Sequence, residues 1–91
     1  MQGSIGRGMM PTNFEIIDDT EEHTYSSDSG FCSSIMFWSD TVAFTSLEKN
    51  GKALTSAELD VLSAGVMVGL VVPANWTKIV LLSGVILAFT Q

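Results

Sequence analysis

From Val61 to the end of the chain, 20 of 31 residues are Ala, Val, Ile, Leu, Met, Phe or Trp, yet Gly65, Gly69, Pro73, Asn75, Lys78 and Gly84 interrupt the run. A helix that crosses a bilayer needs roughly 20 consecutive apolar residues. Val61–Val72 and Ile79–Phe89 both fall short of that, with proline, asparagine and lysine between them. A small membrane protein of the holin type is therefore the weaker reading. Short apolar runs rich in β-branched residues and bounded by turn formers read instead as strands of a packed sheet.

The rest of the body continues that pattern. Cys32–Trp38 and Thr41–Leu47 combine serine and threonine with large apolar residues and read as strands, joined at Ser39-Asp40. Asn50-Gly51 is a strong reversal signal, because both residues tolerate positive φ. Thr55 and Glu58 then have the spacing of a capping box, with Leu54 placed as its hydrophobic staple. This predicts a helix over residues 56–64, with Leu59 and Leu62 turned inward and Gly65 as a left-handed stop. Strands are expected at 66–72, 76–82 and 85–89, with Pro73-Ala74-Asn75 as a break.

If Ser83-Gly84 is a two-residue hairpin turn, Leu82 pairs with Val85, Val80 with Leu87 and Lys78 with Phe89 on one face. Leu81 with Ile86 and Ile79 with Ala88 then occupy the other. Both faces are apolar, whereas a solvated sheet face carries polar residues. One face is expected to pack inside the subunit and the other against a second copy of the chain.

The first part of the chain differs. Residues 1–40 carry seven acids and one base, and residues 41–91 carry three of each, so the net charge of −6 resides in the first part. Such a balance repels phosphate backbones and anionic membrane surfaces, so neither nucleic acid nor membrane is an expected partner. The opening eight residues have no apolar run behind a basic start and do not read as a secretory signal, so synthesis in the cytoplasm is expected. Gly3, Gly6 and Gly8 lack the strand and helix that give a phosphate loop its mechanism and read as flexible chain. Residues 1–30 are expected to form an extended acidic arm, held by a neighbouring molecule through Phe14, Ile16 and Ile17. Residues 31–91 form the β-rich oligomerisation domain.

Chemistry-bearing residues are few. His23 among Asp18, Asp19, Glu21 and Glu22 matches no calcium-loop spacing and reads as an exposed acidic turn. Cys32, the single cysteine, allows no internal disulfide and reads as a small buried residue rather than as a nucleophile for His23. No catalytic, metal-binding or cofactor-binding set is assigned, and the chain is not read as an enzyme. Trp38 and Trp76 are expected in a core or an interface, although either could stack on a sugar. Met9 and Met10 read as linker or a soft contact, and Asn75-Trp76-Thr77, a sequon by pattern, as a turn into a strand.

The segment from Val72 to Phe89, about one fifth of the chain, resembles the endings of small tailed-phage virion proteins. Those chains close with a proline, an aromatic residue and threonine, an alternating strand, Ser-Gly and a short strand ending in Ala and an aromatic. Asn75 stands where glycine or arginine is common, and Phe89 where tyrosine is usual. The resemblance implies a β-rich, often trimeric phage protein that cements or decorates a capsid, with a spike or fibre component as the alternative. Its implied partners are further copies of itself and the major capsid protein or another virion protein, and its implied location is the virion. The sequence thus predicts a mainly β fold, a small β-sandwich or barrel-like domain with one short helix and an N-terminal arm. Interface residues are expected at Phe14, Ile16, Ile17, Trp76, Ile79, Leu81, Ile86 and Phe89.

Overall fold

A computed structural model describes residues 13–26 and 30–90. In chain order they form β1 (Asn13–Ile17), β2 (Glu22–Thr24), β3 (Cys32–Phe37), β4 (Ala43–Lys49), β5 (Lys52–Ala53), α1 (Ser56–Ala64), β6 (Val71–Ser83) and β7 (Ile86–Thr90). The fold is mainly β, as the sequence predicts. All seven strands belong to one sheet of order β1-β7-β3-β6-β4-β5, with β2 paired to β6, and these pairings are antiparallel.

This sheet cannot be flat. Val71 pairs with Met36, Phe37 pairs with Ile86, and Ser83 precedes Ile86 by three residues. With neighbouring strands about 5 Å apart and about 3.8 Å per residue, that route leaves at most about 26 Å between Val71 and Ser83. A straight strand would separate them by roughly 40 Å. β6 therefore bends back on itself, and the sheet curls into a barrel-like body.

Bulges make the bend. Trp76 pairs with Lys49 and Lys78 with Glu48, so Thr77 is an extra residue on β6; Leu82 is another, and Thr45 is one on β4. Each bulge leaves one residue unpaired and increases the local twist. Each also shifts the alternation of faces, which is why Phe44 and Leu47, or Trp76 and Ile79, are both buried although three apart. The inner face so formed encloses a single core, in which Ile17, Ile35, Phe37, Leu47, Ile79, Leu81 and Ile86 are essentially inaccessible.

The turn, the cap and the span of the helix follow the sequence-based expectation, and the form of its C-terminal stop does not. Asn50 and Gly51 take positive φ in a two-residue turn between Lys49 and Lys52. Thr55 caps α1, accepting from the Glu58 amide at 3.2 Å, while Glu58 Oε1 accepts from the Thr55 amide at 2.8 Å. Leu59 and Leu62 are half-buried against the core. Gly65 ends the helix with φ −98°, not in the left-handed region, and its N–H donates to Val61 and Leu62 carbonyls.

Four expectations are corrected. First, no hairpin forms at Ser83-Gly84, because β3 lies between β6 and β7 and pairs with both. Second, residues 66–70 form a loop rather than the start of a strand. Third, β6 continues through Pro73 without a break. Proline is tolerated there because β4 covers only the stretch from Trp76 to Ser83, so Pro73 has β3 as its one neighbour and its missing N–H faces an unpaired edge.

The fourth correction concerns the arm. Residues 13–26 supply β1 and β2, and bury Ile17 and Tyr25 in the same core as the later strands, so a boundary at residue 30 separates no two units. The readings of Gly3, Gly6, Gly8, Met9 and Met10 lie outside the described residues.

Candidate functional site

The curled sheet has an outer face, and over β1, β7, β3 and the first half of β6 that face is apolar. Two rows of cross-strand neighbours build it: Phe14, Phe89, Ser34 and Pro73, then Ile16, Leu87, Met36 and Val71. Strict alternation in β1 and β7 sends Ile17, Ile86 and Ala88 into the core and turns Phe14, Ile16, Leu87 and Phe89 to the other side, where Leu87 is nevertheless covered, at 8% exposure. Phe14 is 59% exposed, Ile16 58% and Val71 47%, and the Phe14 and Phe89 rings meet at a tilt, 6.2 Å between centroids. Neither row contains a charged residue.

This arrangement redistributes the residues expected at an interface. Phe14, Ile16 and Phe89 are on the outer face. Ile17, Trp76, Ile79, Leu81 and Ile86 are in the chain's own core, the least buried of them 3% exposed. Met36 and Val71 join the surface unforeseen, with Leu87 covered between Ile16 and Met36. Alternation within Cys32–Phe37 marks Met36 as lying opposite Ile35 and Phe37, a signal available in the sequence. Val71 becomes visible only with the register of β6 on β3.

The two tryptophans separate. Trp76 is buried and donates its Nε1–H to the Val72 carbonyl at 3.0 Å, so it cannot stack on a sugar. Trp38 follows β3 and is 57% exposed. A further apolar surface lies on the loop after α1, where Met67 and Val68 are exposed, and on the helix itself at Val61.

On the inner side, the edge strand β1 carries Glu15, which accepts from the Tyr25 hydroxyl at 2.7 Å and sits 3.6 Å from His23 Nδ1. His23 Nε2 lies 2.9 Å from Asp19 Oδ1, and that contact, with the Glu21 amide, holds the Asp19 carboxyl below its usual range. These side chains clasp β1 to β2. Among the described residues, no group of three His, Cys, Asp or Glu could hold a metal ion. A cleft of ≈ 300 Å³ is lined by Lys49, Lys52, Ala53, Leu54, Thr55 and Glu58, and its Glu58 is already committed to capping α1.

Cys32 is inaccessible, and its Sγ donates to the Ser34 carbonyl at 3.3 Å. Burial pushes its thiol up to about 11 from 9.0, the opposite of what a nucleophile needs. Burial, followed by the bond to Glu15, also raises the Tyr25 hydroxyl above its ordinary 10. Both groups are thus kept protonated by folding, so their contribution is complete below the unfolded values and is lost as pH rises past them. Urea unfolding between pH 7 and 11 is expected to show stability falling from about pH 9, where Cys32 would ionise when unfolded, and more steeply above 10. Tyr25→Phe should flatten the part above pH 10. A wild-type curve level to pH 11 would contradict the burial of both side chains.

Among the described residues, no helix is long and apolar enough to cross a membrane. Compared with family models, with curated proteins and with solved structures, the chain matches none.

Proposed function

We propose that this chain is a structural protein of a phage particle, a homo-oligomer that cements or decorates the capsid and acts through contacts rather than chemistry. The observation that carries the reading is the uncovered apolar surface. Phe14, Ile16, Trp38, Val61, Met67 and Val68 are each more than half exposed in a chain of 91 residues. Surfaces of that kind on a small domain mark contact with other macromolecules.

Three further features support it. The resemblance of the last fifth of the chain to virion-protein endings suggests the setting and favours a trimer. The acidic balance suits an outer surface, away from packaged genome. The clasp of Glu15, His23 and Tyr25 secures an N-terminal strand at the edge of the body, next to the residues that would meet a neighbour. A spike component that stacks on carbohydrate is the second reading, and the exposed Trp38 ring is the feature that favours it.

Quantitative mass spectrometry of particles purified from cells that carry the sequence in its native genome tests the assignment. The chain is expected in many copies per particle, and particles lacking it should break open at lower temperature. Particles of full composition without this chain would remove the virion reading. Glycan binding lost in Trp38→Ala, with copy number limited to particle vertices or tails, would favour the spike.

A further inference from the structure

We infer that the outer face of β1, β7, β3 and β6 is covered by a second copy of this chain. The inference rests on the assembly reading above and names its contact surface and occupant.

Charge identifies the occupant. The described residues include nine acids (Glu15, Asp18, Asp19, Glu21, Glu22, Asp40, Glu48, Glu58 and Asp60) and three bases (Lys49, Lys52 and Lys78), and none is on the two rows. The acidic parts of the molecule therefore repel a second copy, and the uncharged face is where a second copy can approach without apposing carboxylates. A nucleic acid or an anionic lipid surface would require cations that this face lacks. A charged partner segment would be desolvated against Phe14, Ile16 and Met36 with nothing to pair with, at a cost no bond here repays.

The edge of the sheet gives the contact its direction. β1 pairs with β7 on one side, and among the described residues no strand pairs with its other side. Edge-to-edge joining of two β1 strands about their centre would set Glu15 opposite the same residue of the second copy, and directly opposed like charges destabilise a strand pair. Glu15 thus acts as a gatekeeper on the edge, and the face is left as the route. Its complement on the second copy is either this same face, giving pairs, or the uncharged loop Val66–Leu70, giving rings.

Native mass spectrometry of the full 91-residue chain across a dilution series, for wild type, Ile16→Lys, Phe14→Lys and Leu82→Lys, tests this. Circular dichroism and thermal melting confirm that each variant is folded. A lysine on the face must be desolvated on association, so Ile16→Lys and Phe14→Lys should each weaken the oligomer by at least about 100-fold, while Leu82→Lys, at an exposed position off both rows and off the loop, changes it less than about threefold. A dimer assigns the same face of both copies, and a ring of three or more subunits assigns the loop. An oligomer unchanged by both face variants overturns the inference while leaving the assembly reading intact. A wild-type chain that is monomeric at every concentration overturns the inference and the self-association it rests on, and particle content then decides the virion reading by itself.

Discussion

Replacing Gly84 with alanine should cost about 2 to 5 kcal/mol and lower the melting temperature by roughly 10 to 30 °C. Gly84 joins β6 to β7 with φ +93°, a conformation that L side chains rarely adopt. An added Cβ would also collide with the Thr41 carbonyl oxygen and lie 2.9 Å from both Cα and Cγ2 of Val42. Backbone cannot swing away as a flexible side chain can. The neighbourhood is tied down as well, since Ser39 Oγ bonds the Thr41 carbonyl and the Val85 amide, and the Trp38 amide donates to the Val85 carbonyl. Two chain crossings, β3 to β4 and β6 to β7, thus pass each other with a hydrogen atom's clearance.

Gly69 provides the control. It too has positive φ, +88°, but an added Cβ would meet nothing within 4 Å. Gly69→Ala should therefore show the backbone cost alone, about 1 to 2 kcal/mol. Chemical denaturation of both variants separates conformational strain from collision. Equal losses at the two sites would mean that the crossing at Gly84 is looser than described.

Ile17→Ala is expected to cost about 2 to 5 kcal/mol, the usual loss for a fully buried aliphatic side chain cut back to its Cβ. Ile17 is wholly buried between Ile86 and the rest of the core, whereas Ile16, one residue earlier, is mostly exposed on the opposite face. Ile16→Ala should change the stability of the isolated chain by less than about 0.5 kcal/mol. Urea unfolding of the two variants at a concentration too low for association makes the comparison. An arm that merely docks on a neighbour would show no loss for Ile17→Ala; a strand built into the core must show it. Total domain stabilities lie near 5 to 15 kcal/mol, so the expected loss leaves little margin.

Both substitutions address what was hardest to read in the sequence. Local signals were legible: the Thr55–Glu58 capping box gave the helix over 56–64 to the residue, and Asn50-Gly51 gave the turn. Such signals depend on bonds between residues two to four apart, so no distant part of the chain can override them cheaply. The β class was legible for a similar reason, because Gly65, Gly69, Pro73 and Lys78 exclude a long apolar helix.

Faces were not legible. The sequence-based pairing of Leu81 with Ile86 assumed an uninterrupted hairpin, and two long-range facts displaced it. β3 inserts between β6 and β7, and bulges at Thr77 and Leu82 reset the alternation along β6. One extra residue exchanges the two faces of a strand, so each bulge moves whole sets of side chains between core and surface. Of the eight residues expected at an interface, those in β1 and β7 could be sorted by simple alternation, since these strands pair without a shift. Trp76, Ile79 and Leu81 could not, since their burial depends on where β4 departs from regular pairing.

The apolar surplus itself was legible in composition. A chain of 91 residues with 46% hydrophobic residues and only 15% charged ones has more apolar surface than one small core can hide. Composition therefore determined that an apolar surface remains outside, together with the β class, the helix and the turn, because these follow from residue content and from contacts close along the chain. Tertiary structure alone decided which residues form that surface, that residues 13–26 belong to the core, and that Gly84 must be glycine. Those depend on which distant strands become neighbours, and in a curled sheet whose long strand is bent by bulges, neighbourhood is set by register over some 50 to 70 residues of separation, as between Ile16 and Leu87 or Ser39 and Val85.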